Sequence, residues 1–376
     1  MNIGPIFPAA FIAIILWTPI AGSAQALSGQ AFAGVITPAG TGNTITLDVE
    51  VTTKSGAPVS DLQPGDFRLL DKKQPQSLIS VQAADGVSAK TDPPAEAILV
   101  VDAVNGSLET VESERQMLAR FLQGNGGELA LPTSLVVLSD QGITGNNPPK
   151  REGKELADFL NANVPGLRPL STFGWDADMA REQLSLKALD FLIAQASRRP
   201  GRKLLIWLSP GWRLQTSGNW VASAKDQQML YNKVATLSTA MRAARVTVYS
   251  LDPSGIDSEL TFQQIYEAYL KGVDTPNHVD YGYLLLQVLA TQTGGKALSA
   301  TNDLAGLIGK CMEDARAYYV ISFKPPPSAR PNEYHSIEVQ IDKPGLKART
   351  QTGYYSKPGT PEKQSIPSVS NQAPAK

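Results

Sequence analysis

The run Ala97-Ile98-Leu99-Val100-Val101-Asp102, continued by Ala103-Val104-Asn105-Gly106-Ser107, constrains this chain more than any other stretch. It is apolar, too short for a buried helix, and ends on a carboxylate followed by small residues. Such a run reads as a strand covered on both faces, the condition of a parallel sheet packed between helices. Sheets of that kind bind ligands beyond the carboxyl ends of their strands, so Asp102 is delivered to the binding edge. The text nearly spells Asp-x-Ser-x-Ser, an oxygen-rich cation motif, but Val104 and Gly106 stand where two serines belong. An architecture and a binding face follow from this; a ligand does not.

The surrounding text alternates strand and helix. Strands are expected at 97–102, 134–139, 203–209, 246–251 and 317–323, with helices at 109–123, 151–163, 176–197, 223–244, 260–270, 280–293 and 302–315. Leu184, Leu186, Leu189, Leu192 and Ile193 form a stripe along the third helix, the pattern of a face turned to a core. The expected fold is therefore α/β, with a doubly wound, mostly parallel sheet over 95–325. Before it, Ile45, Leu47, Val49 and Val51 alternate with polar residues, and two shorter strand patterns follow, giving a β module over 44–90. After Pro325-Pro326-Pro327, strands at 335–341 and 346–350 need a partner face. The two chain ends are thus expected to join, through residues 333–356, in one sandwich-like unit beside the α/β domain.

Charge and cysteine content narrow the classes of function. With 34 basic and 35 acidic residues, the chain lacks the basic excess that draws proteins to nucleic acid. Residues 1–26 carry no charge, and an apolar run from Ile6 to Ile20 precedes Ala24-Gln25-Ala26. That is the pattern of a secretory signal cleaved after Ala26, with an uncleaved anchor as the alternative. A secreted or periplasmic protein with no membrane span after cleavage is expected, carrying a leader over 27–43 and a disordered tail over 357–376. The single cysteine, Cys311, lies on a helical stripe with Leu304, Leu307 and Ile308, and reads as buried filler.

Several pieces in order resemble the VWFA-related domain family of secreted bacterial proteins, of the acidobacterial type. They include Leu47-Asp48-Val49-Glu50-Val51, Gly65-Asp66-Phe67, Ile98 to Asp102 with Asn105, and Arg202-Lys203-Leu204-Leu205-Ile206-Trp207-Leu208-Ser209. Val246-Thr247-Val248-Tyr249, Thr293-Gly294-Gly295, Tyr318-Tyr319-Val320-Ile321-Ser322, Tyr334-His335 and Gly353-Tyr354-Tyr355 complete the series. The resemblance implies a von Willebrand factor A-type domain flanked by β strands, with no enzymatic activity. It also implies a Mg²⁺-type site at the carboxyl edge, where a hard cation wants oxygen ligands. Matched residue by residue, Asp102 fits the first aspartate, Ser107 and Asn105 offer oxygens nearby, and Thr172 suits the second loop. The aspartate expected after the fourth strand is replaced in Ser209-Pro210-Gly211. The candidate metal set is Asp102, Ser107, Thr172 and Ser209. One carboxylate among them implies at most weak Mg or Ca binding and no other cofactor.

The same edge gathers Phe173 and Trp175 near Thr172, and Trp212, Arg213 and Trp220 after the fourth strand. Aromatic and arginine side chains dominate interface hot spots. With Asp102 and Asn105 they form a candidate surface for a protein or surface glycan; the alternative is that the indoles fold back to close the core. Asn105-Gly106-Ser107 also matches a glycosylation sequon. The basic run Arg198 to Lys203 reads as a solvated helix cap. A hydrolase would require His278 to approach Ser139 or Ser209, and neither histidine has the spaced partners of a zinc site. His335 lies in a strand pattern and reads as packing or surface.

Overall fold

In the computed structural model, residues 44–87, 93–167, 170, 175–212, 223–252, 266–299 and 303–356 are described. The expected signal, leader and tail lie outside them, as does most of the helix expected at 260–270. The fold is mixed α/β, a mostly parallel central sheet flanked by antiparallel sheets. Four strands open the chain: β1 (Ile45–Thr53), β2 (Phe67–Asp71), β3 (Gln74–Gln76) and β4 (Leu78–Ala84). Next come β5 (Glu96–Asp102), α1 (Leu108–Gln123), β6 (Glu128–Ser139), β7 (Gly142–Glu152), α2 (Gly153–Asn163) and α3 (Trp175–Ala196). They are followed by β8 (Lys203–Leu208), α4 (Ala224–Ala243), β9 (Val246–Asp252), α5 (Leu286–Gln292), β10 (Ala297–Ser299) and α6 (Leu304–Glu313). The chain closes with β11 (Tyr318–Phe323), β12 (Tyr334–Ile341), β13 (Leu346–Arg349) and β14 (Gly353–Tyr355).

The central sheet has the order β10-β9-β8-β5-β6-β7. All its neighbours run parallel except β7, which returns antiparallel along β6. The chain thus starts in the middle at β5, moves out one way to β7, and comes back to build the other side. Alternation along β5 explains why it sits centrally. Ile98 and Val100 enter a core with Leu189, Leu192 and Ile193 of α3, Leu230 and Val234 of α4, and Leu286 and Leu289 of α5. Ala97, Leu99 and Val101 enter a second core with Val111 and Leu118 of α1, Leu156 and Leu160 of α2, and Ile308 and Cys311 of α6. Successive side chains of a strand point to opposite faces, so a strand with a core on each side must be apolar throughout.

The flanking sheets are antiparallel, in the orders β13-β1-β11-β4 and β14-β12-β2-β3. Between them lies a third core that includes Leu47, Val49, Phe67, Leu69, Tyr319, Ile321, Ile337 and Tyr354. Residues 317–323 were expected to extend the α/β sheet, within a domain ending at 325. Instead β11 lies between β1 and β4, with Leu47 opposite Ile321 and Tyr319 opposite Ala83. A strand that follows a helix imitates another parallel crossover, but Tyr319, Ile321 and Phe323 alternate as a sandwich strand does. In the central sheet two strands escaped the pattern reading, and both are edges. β7 carries Pro148 and Pro149, which an edge tolerates, and it occupies 151–152, where a helix was expected to begin. The other is the three-residue β10. The helix expected at 280–293 is a 3₁₀ turn at Tyr281–Leu284 followed by α5.

Candidate functional site

Asp102 ends β5 with no exposed surface. Its Oδ1 accepts the backbone N–H groups of Val104 and Asn105, each at 3.0 Å. Its Oδ2 accepts the Asn105 side-chain amide at 2.8 Å and the Trp207 indole N–H at 2.9 Å. Burial pushes the Asp102 carboxyl above the usual range, while donations from Trp207, Asn105 and Ser209 pull against that. Trp207 sits on β8, beside β5, and is itself fully buried. Asn105 gives its other amide hydrogen to Ser185 Oγ at 2.9 Å, tying the β5 loop to α3. An asparagine so engaged is not presented as a glycosylation acceptor.

The expected metal ligands do not fit a hard divalent cation. Asp102 has its lone pairs taken and no path to water. Val104 is buried in the α3–α4 core. A Cβ at Gly106 would lie 3.1 Å from Val111 Cγ2 and 3.2 Å from the Asp102 carbonyl oxygen, so a serine there would be crowded. Ser107 caps α1, accepting the Thr110 N–H at 3.1 Å and exchanging a hydroxyl bond with Thr110. Ser209 accepts the Gly211 N–H at 3.2 Å. Thr172 lies outside the described residues. Among the described residues no three His, Cys, Asp or Glu side chains are placed to hold a metal ion.

The expected recognition surface is also corrected in part. Trp212 is buried, its ring 5.1 Å from that of Trp207 at 75°, so it closes the core beneath the rim. Asp102 is likewise interior, with no exposed surface. Thr172, Phe173, Arg213 and Trp220 lie outside the described residues; Trp175 opens α3, with its side chain undescribed. What the rim does expose is Leu108, beside a cavity of about 60 Å³ lined also by Val111, Val164 and Leu167.

Glu114 was missed. It lies on α1 with no exposed surface, and neither carboxyl oxygen has a hydrogen-bond partner among the described residues. Burial, then the charges of Asp102 and Asp252, hold its carboxyl well above the usual range. The signal was available, because Val111, Glu114, Leu118 and Leu122 form the buried stripe of α1.

At the other end of the sheet, the basic run is not a solvated cap. Arg199 pairs with Glu96 at 2.6 Å, and fully buried Arg202 pairs with Glu50 of β1 while its guanidinium lies over the Tyr318 ring. Lys203 is buried, donates to the carbonyls of Arg199 and Gly201, and is pushed down to about 8, chiefly by burial. Arg349 of β13 also reaches Glu50, and bonds Asp314 at 2.5 Å. These ion pairs fasten the sandwich to the amino edge of the sheet.

Neither histidine joins Ser139 or Ser209. His278 bonds Thr275 Oγ1 at 3.2 Å, and Ser139 shapes the turn before β7 by accepting the Gln141 N–H. His335 instead bonds Asp71 through Nδ1 at 2.8 Å and Ser328 through Nε2 at 3.1 Å. Tyr354 donates to the second Asp71 oxygen and stacks on the imidazole. His335 and Asp71 are buried, and with Tyr354 they join β2, β12 and β14.

No family model and no curated protein matches the chain. Among solved structures, the human COPII-coat protein Sec24c aligns at 9% identity and a TM-score of 0.33, over 74% of this chain and 46% of that one. The pilus adhesin SpaC from Lactobacillus rhamnosus GG aligns at 9% identity and a TM-score of 0.36, over 80% and 49% respectively. The chain therefore spans about half the length of each. Likeness at this level identifies neither a fold family nor an activity.

Proposed function

We propose that the chain is an exported von Willebrand A-type interaction module whose carboxyl rim engages a protein or surface glycan without a divalent cation and without catalysis. The observation that carries this reading is the Asp102 carboxylate closed by the Trp207 indole and the β5 loop amides. The four donated hydrogen bonds leave neither oxygen of that carboxylate free for a cation. Support for the A-type reading comes from the sheet order and its antiparallel edge strand β7, together with the motif series in the sequence. Export rests on the apolar stretch before Ala26; among the described residues, no helix is long and apolar enough to cross a membrane. The rim offers a partner exposed Leu108 and its neighbouring cavity, and the sequence adds Arg213 and Trp220 after β8.

The test pairs calorimetry with capture. Titration with Mg²⁺, Mn²⁺ and Ca²⁺ is expected to give no saturable heat. Capture of envelope proteins or glycans by the immobilised chain should survive chelation and be lost in Trp220→Ala and Arg213→Ala. Micromolar cation binding abolished by Asp102→Ala would instead establish the metal-dependent adhesion reading.

A hydrolase is the second reading, favoured by the Ser328–His335–Asp71 chain of hydrogen bonds, which has the connectivity of a nucleophile, a base and its orienting acid. It ranks lower because the amide next to Ser328, that of Ala329, is taken by Glu333 and cannot stabilise an oxyanion. Labelling of Ser328 by a fluorophosphonate, lost in His335→Ala, would promote it; an unlabelled native chain removes it.

A further inference from the structure

A small polar cavity lies away from the carboxyl rim, where α4 and the start of β9 meet the sandwich. Thr46, Asp48, Arg242, Arg245, Thr293 and Gln351 line it, and its volume is about 20 Å³. Most of its polar groups are spoken for. Asp48 takes two hydrogen bonds from Arg245, at 2.5 and 3.2 Å. Thr293 donates to the Leu289 carbonyl at 2.8 Å and accepts the Val248 N–H at 2.9 Å.

Two donors are left. Arg242 Nε and Gln351 Nε2 are both buried with no acceptor among the described residues. The titratable group beside Arg242 is the Tyr354 phenol, which burial and Asp71 keep protonated and therefore uncharged. The guanidinium thus has no counter-charge among the described residues, and burial alone disfavours its cationic form. Buried polar groups without partners are rare in folded proteins, and a buried charge left uncompensated is costlier still. Arg242 and Arg245 against Asp48 leave a net single positive charge at the cavity.

We propose that this cavity is an oxyanion site, in which Arg242 Nε and Gln351 Nε2 donate to one oxygen of a carboxylate or phosphoryl group. A guanidinium and an amide lining one cavity, each with an unpaired N–H, suit a charged oxygen, and charge-assisted bonds are about twice as strong as neutral ones. The volume takes one oxygen-sized group, since about 10–15 Å³ suffices for a water. The remainder of the ligand stays at the mouth. Because Arg242 belongs to α4 and Gln351 follows β13, the anion bridges the α/β body and the sandwich.

Calorimetric titration of the full chain with inorganic phosphate, and separately with acetate, at ionic strength held constant by NaCl, tests the site. Saturable one-to-one binding of either anion is expected, with the tighter one naming the chemistry. Arg242→Gln should weaken it at least tenfold. Gln351→Glu, which keeps Arg242 and supplies a carboxylate within the chain, should abolish binding and raise Tm. Absence of saturable binding by both anions, or binding that is unchanged in Gln351→Glu, overturns the proposal and leaves the cavity to water.

Discussion

The indole N–H of Trp207 donates to Oδ2 of Asp102 across 2.9 Å, from one parallel strand to the carboxyl end of its neighbour. The bond lies in a fully buried setting, where leaving either partner unsatisfied costs about 1–3 kcal/mol.

Replacing Trp207 by Phe should therefore cost about 3 kcal/mol or more, the lost bond being joined by the space that the indole leaves against Trp212. Urea denaturation measures it. Asp102→Asn should cost at least as much, because its amide nitrogen would face the Trp207 indole N–H and the Asn105 amide, two donors, where Oδ2 now accepts.

Glu114 should behave as a destabilising acid. Its folded-state pKa is raised, so between the ordinary carboxylate range and that raised value the folded chain binds a proton that the unfolded chain has lost. Its contribution to stability is fully present below the unfolded value and declines as pH rises toward the folded one. Glu114→Gln is then expected to raise Tm, with a larger gain at pH 8 than at pH 5. Its magnitude should be on the order of 1–3 kcal/mol, the penalty of an unsatisfied buried group. Equal gains at both pH values would show that Glu114 has a partner or is ionised.

Arg202 and Glu50 form a buried pair between β1 and the start of β8. Arg202→Met alone should destabilise by about 3–5 kcal/mol, because it strands Glu50 with only Arg349 to balance it. Adding Glu50→Met should recover part of the loss, and a double-mutant cycle by chemical denaturation reads the coupling.

Cys311 is fully buried between α6 and the sheet, and burial pushes its thiol far up. It should resist a thiol-reactive disulfide in the native chain and react at once in denaturant. Rapid native labelling would mean that α6 opens locally.

The sequence was most readable where burial is one-sided or complete. The apolar run of β5 and the alternation of β1 each announce the face they cover, and the stripe of α3 does the same. Strands at edges were hidden, since β7 needs only one neighbour and can be written with prolines and polar residues. β11 was legible as a strand but not in its sheet, because the choice between two hosts is settled by long-range pairing with Leu47 and Ala83. At the rim, the missing serines at Val104 and Gly106 were plain, whereas their consequence was not. That Trp207 fills the role depends on a contact between residues on neighbouring strands, which no local spacing encodes. The Ser328–His335–Asp71 arrangement was invisible for the same reason: Asp71 and His335 lie at opposite ends of the chain.

The sandwich takes strands from both ends of the chain, with β1 held between β11 and β13. During synthesis, β1 to β4 are made before the α/β body and wait through all of it for their mates. Until Tyr355 is out, Ile45, Leu47, Val49 and Val51 have no complete core to enter. A chain built this way should be prone to losing both halves of its β layer whenever synthesis stops short.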